Sequence, residues 1–436
     1  MTESQRRVVI TGAGIVSPLG NCPQALWEHL DSGQSGVRRL SAIPDQGLPV
    51  GIGGEATEFD GSIENFGPLE GKLKRSIKKA LRLMCREIEM GVASAQLALV
   101  DSAIDLEAIP PERIGTLFGS DHIMTRPAEF SDGIRQCLDE EHGFHLEQWG
   151  ESGLPRVEPL WLLKYLPNMP ASHVAIHNDL RGPSNSITMR EASGNASIAE
   201  AVTTIRRGIA DAILAGSTGT RIHPIRTLHV AMQEQLASDY DEPADASRPF
   251  DLHRSGMVLG EGAGCLMLEE LESARRRDAA ILGEVVGYSS TVVGGSGNDQ
   301  FRQAFENVLQ GVLDNAGRPA SQVGHIHAHG LATITCDRDE ATAIRNVFGD
   351  PGPPVVAAKS YMGNVGAGSG VIETVASLQA LAHDRLFPIL NYREPDPECP
   401  ITAADPQQHP VGDSFVNVNI TPQGQASAIL VRRMPD

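Results

Sequence analysis

One stretch, from Gly182 to Ala201, restricts the fold of this chain more than any other: Gly-Pro-Ser-Asn-Ser-Ile-Thr-Met-Arg-Glu-Ala-Ser-Gly-Asn-Ala-Ser-Ile-Ala-Glu-Ala. Ser186-Ile187-Thr188-Met189 reads as a short buried strand. The residues that follow read as a helix, with Ile198, Ala199, Val202 and Ile205 on one face and Gly208 at its end. Between strand and helix, Arg190, Glu191, Ala192 and Ser193 make a sharp turn. A side chain there sits at a helix N-terminus, where unpaired N–H groups and the helix dipole favour negative charge. Such a place suits a thiolate nucleophile or an anion.

A chain of 436 residues, 41% hydrophobic, exceeds what one simple core uses, so two lobes sharing an interface are expected. The formal net charge of -19 repels nucleic acid and anionic membrane surfaces, and neither is an expected partner. Six scattered cysteines without CxxC spacing suit a reduced, cytoplasmic protein. Apolar runs stay short of the roughly 18 residues that span a membrane. Met1 to Val16, with its early glycines, reads as a strand and not a signal peptide. Gly12-Ala13-Gly14 invites a dinucleotide-binding reading, but Ser17 stands where the third glycine belongs and Pro18 follows. His325, His327 and His329 alternate on a strand and share one face. Three such histidines could hold zinc, but histidines in strands are more often packed singly, and no metal is expected.

Further segments carry recognisable patterns: Thr11 to Gly20, Trp27 to Gly36, Ser247-Arg248-Pro249-Phe250-Asp251, Gly260-Glu261-Gly262-Ala263-Gly264 and Ala328-His329-Gly330. With the turn at Glu191 they resemble the β-ketoacyl-ACP synthases, most closely the type II elongating class. The resemblance covers nearly the whole chain. It implies the α/β, thiolase-like, five-layer αβαβα fold built from two duplicated halves, here 1–268 and 269–436. It implies a first core strand and then a loop over Trp27 to Gly36, and a place near the dimer interface for Asn168-Met169. It further implies work in fatty-acid or polyketide biosynthesis, no cofactor, an acyl carrier protein as partner, and a homodimer or a heterodimer with an intact ketosynthase.

The chemistry departs from that pattern. The family carries its catalytic cysteine where this chain has Glu191. The first family histidine matches His329, but Leu331-Ala332-Thr333 replaces Thr-Ser-Thr, so a hydroxyl on the malonyl side is gone. In Lys359-Ser360-Tyr361-Met362-Gly363-Asn364 the lysine matches, and Asn364 stands at the second histidine. A neutral amide does not shuttle protons near neutral pH. In Ser414-Phe415-Val416-Asn417-Val418-Asn419 the glycines are lost and Asn417 replaces the phenylalanine that gates the acyl pocket. The resemblance thus puts Glu191, His329, Asn364 and Lys359 at catalytic positions, and Thr333, Phe415 and Asn417 on the substrate side. Four readings stay open. The chain is a non-condensing partner that shapes an acyl tunnel, or a malonyl decarboxylase. Alternatively, Glu191 works with His329 in thioester hydrolysis or acyl transfer, or it only caps the helix dipole and pairs with Arg190 or Lys359.

Lys72, Lys74, Arg75, Lys78, Lys79 and Arg82 form a basic cluster leading into a helix from about Ser76 to Leu99. It is either a solvated face or, as the resemblance implies, the docking surface of an acidic carrier. Residues 129–157 are polar and read as an irregular surface insertion or a lid. Cys336 follows His329 by seven residues and is expected to lie away from the turn at Glu191.

Overall fold

A computed structural model describes residues 6–43, 50–295 and 299–434; Met1 to Gln5 of the first expected strand lie outside them. Ten strands carry the fold: β1 (Val8–Val16), β2 (Ile114–Ser120), β3 (Ser184–Thr188), β4 (Ala212–Thr220), β5 (Glu261–Glu270), β6 (Gly283–Val292), β7 (His325–His327), β8 (Val355–Val356), β9 (Ser414–Ile420) and β10 (Gln425–Arg432). Their order is β8-β7-β9-β10-β6-β1-β5-β4-β2-β3. Each half therefore runs third, second, fourth, fifth, first. In both halves the second strand pairs parallel with the third and fourth, and the fifth pairs antiparallel with the fourth and first. The two first strands join the halves, with Val9 opposite Glu284 and Ile10 opposite Gly283. The duplication is faint in the sequence and plain in the topology.

The layers follow from which faces are apolar. Helices Ser193–Arg206 and Ser369–Ala382 lie between the half-sheets, and their Ile198, Val202, Val371 and Val375 join Leu117, Leu266 and Ile429 in one central core. Helices Arg86–Ser102 and Met169–Asn178 cover the outer face of the first half. Helices Gln300–Ala316 and Ile334–Phe348 cover that of the second. Strands covered on both faces are buried throughout. On β5, Leu266 and Leu268 point into the central core, while Cys265 and Met267 point outward, as the two-residue period of a strand requires. Gly12 and Gly14 belong to this packing. A Cβ on Gly12 would stand 2.6 Å from the Ser102 nitrogen, and one on Gly14 would stand 2.1 Å from the Ser94 oxygen. These glycines let a helix lie directly on β1.

Several expectations change. β3 starts two residues early and is half exposed, because it is the last strand of the sheet and only one side of it is paired. Trp27 to Gly36 is mostly helix, Pro23–Ser32, ended by Gly33 at φ 71°; Trp27 stacks on His383 at 4.7 Å between centroids. The single helix expected over Ser76 to Leu99 is two, Gly71–Ala80 and Arg86–Ser102. The chain turns extended at Met84, with φ -117° and ψ 137°. Arg86 is drawn aside to Glu261 at 2.6 Å and to the carbonyls of Ala56 and Phe59. Of the basic cluster, Lys72, Arg75, Lys78, Lys79 and Arg82 are exposed, and Lys74 pairs with Glu64 at 3.6 Å. Residues 129–157 are more ordered than their polarity suggests. They hold most of helix Ala128–Arg135, and Phe130 packs against Trp161 and Trp149 at 4.9 and 6.1 Å.

Replacing Gly14 by alanine is expected to destabilise the fold by about 1–3 kcal/mol, the usual cost of overpacking. A urea melt reads this as a lower midpoint. An unchanged midpoint would mean that helix Arg86–Ser102 can back away from β1 freely.

Candidate functional site

The turn after β3 and the loops after β7 and β8 meet at one place. Arg190 takes φ 49° in the turn, which swings the chain from β3 into helix Ser193–Arg206 and sends the Glu191 side chain inward. Glu191 is 1% exposed. Its Oε1 accepts from Arg221 Nη2 and, at 3.1 Å, from Asn364 Nδ2. Its Oε2 lies 3.5 Å from Arg190 Nε and has no hydrogen-bond partner among the described residues. Arg190 also holds Glu234 at 2.6 Å, and Arg221 approaches the same Glu234 oxygen at 3.6 Å. Two carboxylates and two guanidinium groups thus alternate in a neutral cluster. Burial alone would push the Glu191 carboxyl up; Arg221 and then Arg190 outweigh it and hold the group well below the usual carboxylate range. The expected pairing of Glu191 with Lys359 is not found, because Lys359 is taken elsewhere; pairing with Arg190 is, with Arg221 the nearer cation.

Lys359 Nζ donates to Glu373, to Asn419 Oδ1 at 3.1 Å and towards His329 Nδ1 at 3.4 Å. Asn419 Oδ1 also lies 3.1 Å from His329 Nδ1, and its amide donates to Glu373 at 2.7 Å. Buried beside a lysine, the His329 imidazole is pushed down to about 3, first by burial and then by Lys359. It is a neutral ring. Its loop is built by two buried carboxylates. Glu340 accepts from the His329 and Gly330 nitrogens at 2.6 and 2.8 Å. Asp337 accepts from Leu331 and Ala332 at 3.0 Å each, supporting Ala332 at φ 64°. Asn364 is fixed on its other side, where Gly366 N donates to its Oδ1 at 3.0 Å.

A cavity of about 230 Å³ opens on Glu191 and His329, with Glu234, Leu331, Thr333 and Cys336 in its wall. Thr333 thus shares a cavity wall with Glu191 and His329. Cys336 belongs to the same cavity, contrary to expectation, because helix Ile334–Phe348 starts at the cavity wall; burial holds its thiol well above the ordinary cysteine value. Phe415 and Asn417 do not line the cavity. With the glycines gone, Ser414–Ile420 is regular strand, and both side chains point into the central layer. Phe415 stacks on His325 at 5.4 Å; Asn417 donates to Gly370 O at 2.7 Å and Thr374 Oγ1 at 3.0 Å. The three alternating histidines have separate duties. His325 faces Val411 O at 3.0 Å, and His327 bridges Ser377 and Ala358 at 2.9 and 3.2 Å. β7 ends at His327, before His329. A second cavity, about 190 Å³, lies beyond the charged cluster. It shares Gln233 and Glu234 with the first and is lined by Asp121, Arg226, Arg190 and Arg221; Arg226 pairs with Asp121 at 2.8 Å.

Arg221, Glu234, Glu373 and Asn419 were not singled out in the sequence. Glu373 carried a usable signal: it is a lone charge in the apolar run Gly370-Val371-Ile372-Glu373-Thr374-Val375. Asn419 could have been found through its two-residue spacing from Asn417. Arg221 had none, since it simply follows a strand.

Comparison with known proteins gives a consistent result. Residues 5–274 match the Beta-ketoacyl synthase, N-terminal domain, and residues 282–393 match the Beta-ketoacyl synthase, C-terminal domain. The chain is 32% identical over 399 residues to a 3-oxoacyl-acyl-carrier-protein synthase 2 of Coxiella burnetii, covering 91% of this chain and 90% of that one. Among solved structures it superposes on the ishigamide ketosynthase/chain length factor with TM-score 0.83 at 23% identity, over 99% of this chain and 100% of that chain. A type II polyketide acyl-carrier protein in complex with its ketosynthase bound to the hexaketide gives TM-score 0.80 at 23% identity, with the same coverage of both chains.

Two outcomes follow from the buried charges. Arg221→Met strands the Glu191 carboxylate and is expected to cost about 3–5 kcal/mol, the usual result of breaking a buried pair. Adding Glu191→Gln should recover most of that loss; a double variant no more stable than Arg221→Met would deny the coupling. The buried imidazoles contribute to the response to acid. His325 is pushed down to about 4 by burial and His329 to about 3, whereas unfolded histidine binds a proton near about 6.5. The contribution of these two rings to stability is therefore full above about pH 6.5 and is lost as the pH drops towards about 4, because the unfolded chain takes up protons first; the buried carboxyls of Glu340 and Glu87, pushed up to about 8 and about 7 by burial, contribute with the opposite sign. Imidazole proton resonances of His325 and His329 followed by NMR from about pH 7 to about pH 5 are expected not to titrate, and a midpoint near about 6.5 for either ring would contradict neutral, buried rings.

Proposed function

The chain belongs to the β-ketoacyl synthase family, and we propose that it is a member in which Glu191 replaces the thioester-forming cysteine and condensation no longer occurs. The observation that carries this reading is the state of Glu191 itself. A nucleophile needs a free electron pair that can reach the substrate carbonyl. The Glu191 carboxylate is ionised, buried and engaged by Arg221 and Asn364. Acylation there would break a buried ion pair and yield a reactive mixed anhydride. The cluster also bars the way inwards. Beyond Glu234 the next cavity is lined with paired charges, and an aliphatic chain entering it would have to desolvate them.

In this reading the protein works as a chain-length-factor-like partner, or as a binder of acyl carrier protein. Support for a partner comes from the half-exposed edge strand β3 and from Ile225, Leu228 and Met232, which stand exposed on one face of helix Pro224–Gln233. The exposed basic helix Gly71–Ala80 suits an acidic carrier, with Lys78 and Lys79 exposed on it and Arg82 exposed in the turn that follows. A second reading has one observation in its favour. Among the described residues Glu191 Oε2 has no hydrogen-bond partner and His329 is neutral, and both line one cavity. That pair could orient a water for thioester hydrolysis, or Lys359, Asn364 and His329 could stabilise charge during malonyl decarboxylation.

The wild-type protein incubated with acyl-ACP and malonyl-ACP is expected to release neither ketoacyl product nor carbon dioxide and to carry no acyl adduct. Free acid or carbon dioxide would select the second reading. Glu191→Cys is expected to stay inactive in condensation, because one missing oxyanion donor alone costs about 10²–10³ in rate and Asn364 stands at the second histidine position. Turnover of Glu191→Cys at the rate of an ordinary elongating enzyme would overturn the proposal.

A further inference from the structure

An open cavity that the site does not use, about 360 Å³, lies at the seam between the halves. Arg6, Arg7, Arg206, Arg318 and Arg432 line it, with Glu284 the one carboxylate among the described residues in its wall. In a chain of net charge -19, five guanidinium groups around one cavity reverse the local sign. The seam explains how they gather. Arg7 leads into β1, Glu284 sits on β6 and Arg432 on β10, and these strands are neighbours.

The arginines are held by partners that leave donors over. Glu284, 4% exposed, takes Arg7 Nε and Nη2 at 2.7 Å each, and Arg432 Nε at 2.9 Å. Arg206 Nη2 donates to the carbonyls of Val285 and Val286 at 3.2 Å, and its guanidinium lies over the Tyr288 ring at 5.6 Å. Arg318 is fixed by Gln322 O at 2.7 Å and Asp413 at 2.5 Å. In Arg7, Arg206, Arg318 and Arg432 the Nη1 group has no hydrogen-bond partner among the described residues. Arg6 is fully committed through both terminal nitrogens, to Ile205 O, Ala210 O and Asp211. Four arginines thus stand in fixed orientations with donors unspent. Pre-set guanidinium forks match phosphate oxygens better than flexible ammonium groups do, and their ordering cost is already met by the Glu284, Asp413 and carbonyl contacts.

We infer that this arginine-lined cavity at the seam between the halves is a binding site for a small phosphorylated anion carrying two adjacent phosphates. Single phosphates would use only part of the donor set. The volume is of the order of known small-molecule sites and leaves room beyond a diphosphate for a sugar or base.

Calorimetry on the full chain tests this with pyrophosphate, a nucleoside diphosphate and inorganic phosphate, each at fixed ionic strength so that general screening is constant. Pyrophosphate or the nucleoside diphosphate is expected to bind saturably, at least tenfold more tightly than phosphate. Tighter binding of the nucleotide identifies a nucleotide site, and equal binding identifies the diphosphate alone as the ligand. Arg206→Gln and Arg318→Gln are each expected to weaken binding at least fivefold. A measurement without substitutions guards against misfolding. Pyrophosphate should shield Arg206 and Arg432 from phenylglyoxal, read by mass spectrometry, and should leave the exposed Arg156 reactive. Absence of saturable binding, or equal modification of Arg206 and Arg156 with and without pyrophosphate, would overturn the assignment.

Discussion

A carboxylate buried at 1% exposure must be matched by a cation or lose its charge, and the Glu191–Arg221 contact meets that demand at the centre of the molecule. Much of the surrounding arrangement follows. Arg221 must be buried too, so it shares its charge with Glu234; Glu234 then binds Arg190, whose left-handed backbone forms the turn that delivers Glu191. Asn364 fills the remaining position on the same Glu191 oxygen. A histidine there would have added a possible proton where a neutral donor suffices. The turn, the second-half loop and the cavity wall are tied together by one alternating set of charges.

A second buried set stands beside it and stays separate. Lys359, Glu373, Asn419 and Asn417 run from His329 back to Asn195 at the start of the central helix. Here the lysine has its own carboxylate, which is why it does not reach Glu191. The polar face of β9 supplies the asparagines, and the amide chain satisfies donors that an apolar strand would leave orphaned between two helices. The site thus rests on two neutral units, one on each half of the fold, with His329 between them.

Much of the fold was legible because it is written in local patterns: the strand-turn-helix at Glu191, the glycines of β1 and the loop after Ala328. His329 and Thr333, singled out by motif, both line the cavity at Glu191. What was missed depends on contacts between segments far apart in the chain. Arg221 and Glu191 are 30 positions apart, and Lys359 and Asn419 are 60 apart; no local pattern pairs them. Phe415 and Asn417 were misplaced for a different reason. Motif alignment carried over a glycine-rich gate, while Val416 and Val418 make the same residues a regular strand whose alternate side chains face inwards. The break at Met84 was hidden in the same way, because Arg86 answers to Glu261, not to its own helix.

The open flank of β3 has a bearing on how such a chain can be supplied in a cell. Ser184–Thr188 offers unpaired backbone groups along the last strand of a large sheet, and short polar strands specify register weakly. Every copy made without something to cover that flank is a template for wrong pairing. Each newly made copy therefore carries an aggregation-prone flank until that flank is covered, by a second copy or by another chain.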